Sequence, residues 1–468
     1  MREAKTWAEE EFGHAKLGDL RRTKRLVQLA AEVAGKPAGT VTRACRSSAS
    51  REGAFRLLES GKVHPDSVRE AVERATLRRC MSEARAIVPI DGSCLTIADE
   101  GENKGLGGVG AWDKGAHGVQ VMTALALTSS GSTLGVCGQR MWTRDARSPH
   151  GRHGAHGKDS ENRFWLELLA ETQQRFAEHA PGCEPWFQMD RGADCWQVLA
   201  LSQSLGLLMT VRAAHDRRVD AELGFLWSTV ERGRPLARRK VDVPARPAVH
   251  RKRRVGGKRI TYLTKPRRAR SATVAIRAAP VAIWRPGSVR TLSLNAVLVR
   301  EERRGEDRVE WMLLTTHPIR TRRDVLEIVR AYTLRWRIEE FHRVWKRGLC
   351  RVEDTQLRSR NAIFKWATIL ATVATRAMRL TQLARTTPDV PASTEFSGVE
   401  IQAILALREP KGAYDLATLT LSVAVRWVAD LGGYTGPWNG PPGATVIGRG
   451  LYDVLVAARA LENRDKKR

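Results

Sequence analysis

Residues 332–349 read YTLRWRIEEFHRVWKRGL, and two carboxylates, Glu339 and Glu340, stand side by side in the middle of this basic, aromatic stretch. It has no Pro, and no Gly before Gly348, so a helix is the expected conformation. At roughly 100° per residue, Leu334, Ile338, Phe341, Trp345 and Leu349 fall within about an 80° arc, which predicts a buried stripe. Tyr332, Arg335, Glu339 and Lys346 fall within a second arc of about 60°, and Glu340 points about 100° away from Glu339. The spacing thus gives one acid a phenol, a guanidinium and an ammonium for company. The plainer alternative is a solvated face stitched by i, i+4 ion pairs such as Arg335 with Glu339.

The rest of the chain bears on that choice. Its 468 residues suffice for two to four domains, and 42% apolar content makes most of it globular. With 79 Lys plus Arg against 51 Asp plus Glu, the net charge is +28. Such a chain is expected to bind a polyanion, nucleic acid before a membrane surface. No run of 18 apolar residues occurs, and MREAKTWAEEEF lacks the apolar core of a signal peptide, so a cytoplasmic protein is expected. The seven cysteines follow no metal spacing and read as free thiols. His150, His153 and His156 stand three apart in a Gly-rich loop, a weak metal candidate.

Along the chain, LGDLRRTKRLVQLAAEV reads as a helix carrying Arg21, Arg22, Lys24 and Arg25 off its apolar side, a candidate phosphate-binding face. GKPAGT breaks it, and ASREGAFRLLES forms a second short helix. ARAIVPIDGS is a buried strand expected to end at Asp91. Two strands joined at SSGS follow, then the helix ENRFWLELLAETQQRFAEHA and the strand PWFQMD, ending at Asp190. Asp194 is expected to cap the next helix, CWQVLALSQSLG, before the strand LLMTVRAAHD. This alternation predicts a mixed α/β sheet. Residues 213–315 interrupt it as a β-rich insertion, in which residues 231–270 hold 16 Lys plus Arg against two acids, a local +14. The chain is then helical to about residue 385, TTPDVPASTEFSG reads as a linker, and the remainder is helical.

Asp91 and Asp190 each close an apolar strand, where α/β sheets place active sites, and Glu339 follows on a helix. Three converging acids suit two Mg²⁺ or Mn²⁺ ions, the two-metal arrangement of phosphodiester chemistry.

Tyr332, Arg335, Glu339 and Lys346 have the Y-x2-R-x3-E-x6-K spacing of bacterial cut-and-paste DDE transposases of the fourth insertion-sequence family, which includes the transposase of transposon five. LGDLRRTKRL, EGAFRLL, MDRGAD, SLNAVLV, WMLLTTHP and VADLGGY are similar to that family's motifs in the same order, so the resemblance runs almost the length of the chain. The chain departs from the family at Asp91-Gly92-Ser93, where D-T-T is common, and at Gly192, where Glu is common. The resemblance implies an RNase H-like catalytic core with Asp91, Asp190 and Glu339 as metal ligands. It implies that Tyr332, Arg335, Lys346 and Arg212 hold phosphate. It further implies that Trp311 stacks on a base flipped from the duplex.

The expected organisation is a helical DNA-binding domain (1–65), an RNase H-like catalytic domain (70–385) with its basic insertion, and a helical dimerisation domain (386–468). The expected activity is Mg²⁺-dependent transposition of double-stranded DNA: nicking at terminal inverted repeats, hairpin formation and resolution, and strand transfer by a synaptic homodimer. The alternatives are an RNase H-like endonuclease that does not join strands, or a catalytically silent DNA-binding repressor.

Overall fold

The computed structural model describes residues 2–465 apart from 102–103, 111–115, 145–160, 220–223, 244, 246, 249, 256–257, 264, 286–290, 304, 306–307 and 409–417. The His150–His153–His156 candidate lies outside the described residues. The chain forms two compact units, Met1–Gln188 with Leu334–Arg468, and Met189–Thr333.

The first unit begins with helices α1 (Arg2–Phe12), α2 (Leu20–Gly35), α3 (Val41–Ala44), α4 (Ser48–Glu59) and α5 (Pro65–Cys80). Asp19 caps α2 by accepting from the Arg21 amide at 2.8 Å, and Ser47 caps α4 from the Ser50 amide. Strands β1 (Arg85–Thr96), β2 (Gly107–Gly108), β3 (His117–Leu127) and β4 (Thr133–Trp142) follow, then α6 (Glu161–His179) and β5 (Glu184–Met189). The strand order is β2-β3-β1-β5, with β4 also paired to β3. β1 runs past its expected end: antiparallel pairing with β3 continues from Asp91 opposite Thr123 to Thr96 opposite Gly118. Asp91 therefore sits inside a strand, because the polar residues after it still find ladder partners.

The second unit contains α7 (Trp196–Ser204), β6 (Leu208–Arg212), α8 (Leu226–Glu231), β7 (Ala237–Val243), β8 (His250–Val255), β9 (Lys258–Leu263), β10 (Arg270–Trp284), β11 (Thr291–Glu301), β12 (Glu310–Thr315) and α9 (Arg322–Thr333). Its strands follow the order β6-β12-β11-β10-β7, and β8 with β9 forms a separate two-stranded ribbon. Asp194 does not cap α7. Its buried carboxylate accepts from the Ala214 amide at 2.6 Å and pairs with Arg217 at 2.6 Å, so it fixes the loop after β6. Cys195 takes the cap position without a side-chain bond.

The chain returns to the first unit with α10 (Arg337–Lys346), α11 (Arg360–Thr386), α12 (Gly398–Arg408), α13 (Leu421–Leu431) and α14 (Ala444–Asp465). The stretch quoted first is not one helix. A 3-10 turn, Leu334–Trp336, separates α9 from α10. The turn seats Leu334 on Gly131, whose φ of 93° and missing Cβ leave room for it; a Cβ there would lie 2.7 Å from Leu334 Cδ2. Tyr332 thus shares no helix with Glu339, and the single arc drawn through both does not exist. The expected linker is also packed: Ala392 and Phe396 are buried in the apolar cluster of α12–α14. Two thirds of α11 is buried, including Lys365. No described helix is long and apolar enough to cross a membrane. All seven cysteines are free, five of them buried.

Candidate active site

In the first unit, α10 packs against β1, and the turn before α10 touches the same strand. Strand alternation puts Asp91 and Ser93 on one face of β1. Lys346 of α10 donates to Ser93 Oγ at 3.2 Å. Arg335, buried at the turn, donates to Glu339 Oε1 at 2.8 Å, and Glu339 remains 42% exposed. The helix carrying Glu339 is thereby fixed on the strand carrying Asp91, two elements some 250 residues apart in sequence. Glu340 faces elsewhere, paired with Arg337 at 2.9 Å and only 16% exposed. His342, buried in α10, has its pKa pushed down to about 3 by burial and then by the Lys346 ammonium, so its ring is neutral.

Glu353, which sequence patterns do not single out, also meets β1 and α10. It sits in the 3-10 turn Val352–Asp354, and its side chain is 8% exposed. It accepts from the Thr96 amide of β1 at 3.0 Å and from Arg347 Nε at 2.8 Å, and it lies 3.6 Å from Lys346 Nζ. In sequence Glu353 looks no different from the adjacent Asp354; only the fold separates them.

In the second unit, Asp190 follows β5 directly and accepts from the Gly192 amide at 2.7 Å, capping a short 3-10 turn. Arg212 ends β6 and donates to the Glu310 carbonyl at 2.9 Å. Trp311 of β12 meets Tyr332 of α9 edge-on, with ring centroids 5.7 Å apart, although 21 residues separate them in sequence. Tyr332 is buried and Trp311 is half-buried.

On α2, Arg21 is 94% exposed and Lys24 is exposed. Arg22 donates to the Leu17 carbonyl at 2.8 Å. Arg25 lies across Gly53 of α4, where a Cβ would collide with its guanidinium. The glycine of EGAFRLL is thus the space through which this cation passes.

Asp91, Asp190 and Glu339 offer only carboxylate oxygens, hard donors suited to Mg²⁺ or Mn²⁺. Among the described residues, no three His, Cys, Asp or Glu side chains stand close enough to hold a metal by themselves.

A basic chain in which a helix bearing a carboxylate, a lysine and an arginine packs on a strand bearing another carboxylate has the makings of an enzyme of nucleic-acid phosphodiester chemistry. Residues 4–63 match the family described as Transposase DNA-binding, and residues 84–376 match the Transposase DDE domain family. The second match spans more than half of the chain, and the chain belongs to the DDE transposase family. Its fold is accordingly the mixed α/β, RNase H-like fold of that family, with helical N- and C-terminal regions. It is a metal-dependent DNA-cleaving enzyme whose partner is DNA.

Proposed function

We propose that this protein is a cut-and-paste transposase of the fourth insertion-sequence family, similar to the transposon-five transposase, acting in the bacterial cytoplasm. It binds terminal inverted repeats and pairs two ends in a homodimer. It then nicks, forms and resolves a hairpin at each end, and joins the freed ends to target DNA. The observation that carries this reading is the seating of α10 on β1, with Lys346 on Ser93 and Arg335 on Glu339 beside the strand of Asp91.

Asp91, Asp190 and Glu339 are the proposed metal ligands, with Mg²⁺ as the physiological ion. When bound, the ions would stabilise the attacking and leaving oxygens of in-line phosphoryl transfer. Lys346, Arg335, Arg212 and Tyr332 hold the phosphates flanking the cut, and Trp311 stacks on a displaced base. Arg21, Arg22, Lys24 and Arg25 bind end-DNA phosphates from α2. The corresponding functional segments are 1–65 for end binding, 70–385 for catalysis with 213–315 as the insertion, and 386–468 for pairing of subunits.

The test is to incubate the protein and Mg²⁺ with a plasmid carrying the flanking repeats. Excised and rejoined products are expected. Cleavage without joining would replace this reading by a non-joining endonuclease, and binding without cleavage by a repressor.

A further inference from the structure

We infer that Glu353 is a positioning residue of the active site, holding the Lys346 ammonium at the edge of β1 for the phosphate at the cut. The inference rests on the reading of Lys346 as a phosphate contact. Three observations carry it. First, Glu353 binds both sides of the site at once. One oxygen takes the Thr96 amide of β1 and faces the Lys346 ammonium, and the other takes Arg347 Nε.

Second, the turn carrying Glu353 is held in an unusual conformation. Arg351, immediately before it, has φ 51° and ψ 43°, and is the one non-glycine residue with positive φ among the described residues. Such a conformation persists where the surroundings enforce it. Here Val352 is fully buried, and Gly39, between α2 and α3, lies against the turn. A Cβ on Gly39 would collide with the Arg351 carbonyl oxygen.

Third, the geometry leaves the ammonium usable. Lys346 donates to Ser93 at 3.2 Å, while the carboxylate stands off at 3.6 Å. An ammonium has three N–H donors, so one remains for a phosphate oxygen. A carboxylate in this position fixes where the flexible lysine stem ends without consuming its last donor.

Glu353→Gln tests this, because the amide oxygen can still accept from Thr96 while the charge facing Lys346 is removed. Single-turnover nicking of a labelled end and the dissociation constant of the end complex are measured in wild-type and Lys346→Ala backgrounds. Thermal unfolding is recorded for every variant. In the wild-type background, Glu353→Gln is expected to slow nicking about tenfold and weaken the end complex a few-fold, with unfolding little changed. In the Lys346→Ala background it is expected to change neither quantity. Where Lys346→Ala nicks too slowly to follow, the dissociation constants close the cycle. Equal effects in both backgrounds, or no effect in either, overturn the positioning role and leave the reading of Lys346 intact. A Lys346→Ala protein that nicks and binds like wild type overturns that reading and this inference together.

Discussion

Glu339 and Glu340 differ by one position in sequence and by their whole surroundings in the fold. Glu339 is held by Arg335 and stays 42% exposed on the helix set against β1, whereas Glu340 is tucked against Arg337. A carboxylate-to-amide change keeps shape and removes the charge a divalent ion needs. Glu339→Gln should therefore retain end binding and lower nicking by about 10²-fold or more, in Mg²⁺ and in Mn²⁺. Glu340→Gln should nick at close to the wild-type rate and cost up to about 1 kcal/mol of stability from its partly buried pair. A labelled-end assay with both proteins decides; brisk nicking by the Glu339 variant would remove it from the ligand set. Trp311 admits a sharper separation, because its edge contact with Tyr332 gives it a packing role besides any stacking on DNA. Trp311→Ala should lose roughly 1–3 kcal/mol of stacking on distorted DNA, so nicking survives while hairpin formation falls. Trp311→Phe, which can keep the edge contact, should fall between the two; an equal loss in both steps would make Trp311 a core residue only. The sequence singles these residues out by local signals, a Tyr-Arg-Glu-Lys spacing and acids that follow apolar runs, although β1 runs on past Asp91. Glu353 was not legible, because its importance comes from which strand lies across from it.

At the scale of elements, the helices expected at LGDLRRTKRLVQLAAEV, ASREGAFRLLES and ENRFWLELLAETQQRFAEHA form close to those bounds as α2, α4 and α6. The departures share a cause in tertiary contact overriding local pattern. Residues 332–349 break at 334–336 to seat Leu334 on Gly131, Asp194 leaves the helix cap for two loop amides, and the Pro-rich linker buries Phe396. The same kind of contact ties the N-terminal helices to α11. The Lys365 ammonium donates to the Ser60 and Val63 carbonyls, each at 3.0 Å, Trp366 Nε1 donates to the Gly39 carbonyl at 2.7 Å, and Glu59 accepts from the Arg358 amide and Ser359 hydroxyl. Burial pushes the Lys365 pKa down to about 8, with Glu59 opposing. Lys365→Met would leave two carbonyls without their donor and should cost roughly 1–3 kcal/mol at pH 7. The pH dependence has a defined sign. Between about pH 8 and the unfolded value near 10.5, the unfolded chain binds more protons than the folded one, so this lysine's contribution to stability rises with pH. The wild-type advantage over Lys365→Met in chemical denaturation should therefore widen from pH 8 to 10. An advantage that shrinks over that range would mean the ammonium form is the favoured one in the fold.

Across the whole molecule, charge is distributed unevenly: residues 231–270 carry a local +14, half of the net +28, in 40 residues. Part of the insertion's charge is matched within the second unit, where Arg238 pairs with Glu302 and Arg270 with Glu301. Arg232, Arg234, Arg239 and Lys240 are exposed, and the β8–β9 ribbon contains no acidic residue. A cationic segment on a DNA-cleaving enzyme adds affinity through counterion release, which depends on phosphate and not on base sequence. The competing possibility is that the ribbon is merely solvated, since runs of like charge commonly are. The two differ in salt dependence. Replacing Arg251, Lys252, Arg253 and Arg254 together with Gln should weaken binding to repeat-bearing and random duplex by similar factors. It should also flatten the slope of log K against log salt by about one unit for each phosphate no longer neutralised. Nicking of an end already saturated with protein should persist, because none of the four belongs to the proposed metal ligands. Titrations at several salt concentrations with both duplexes measure the slope, and an unchanged slope would assign the ribbon no contact with DNA. A loss confined to the repeat-bearing duplex would instead make these cations part of sequence recognition, a role that contact with phosphate alone does not provide.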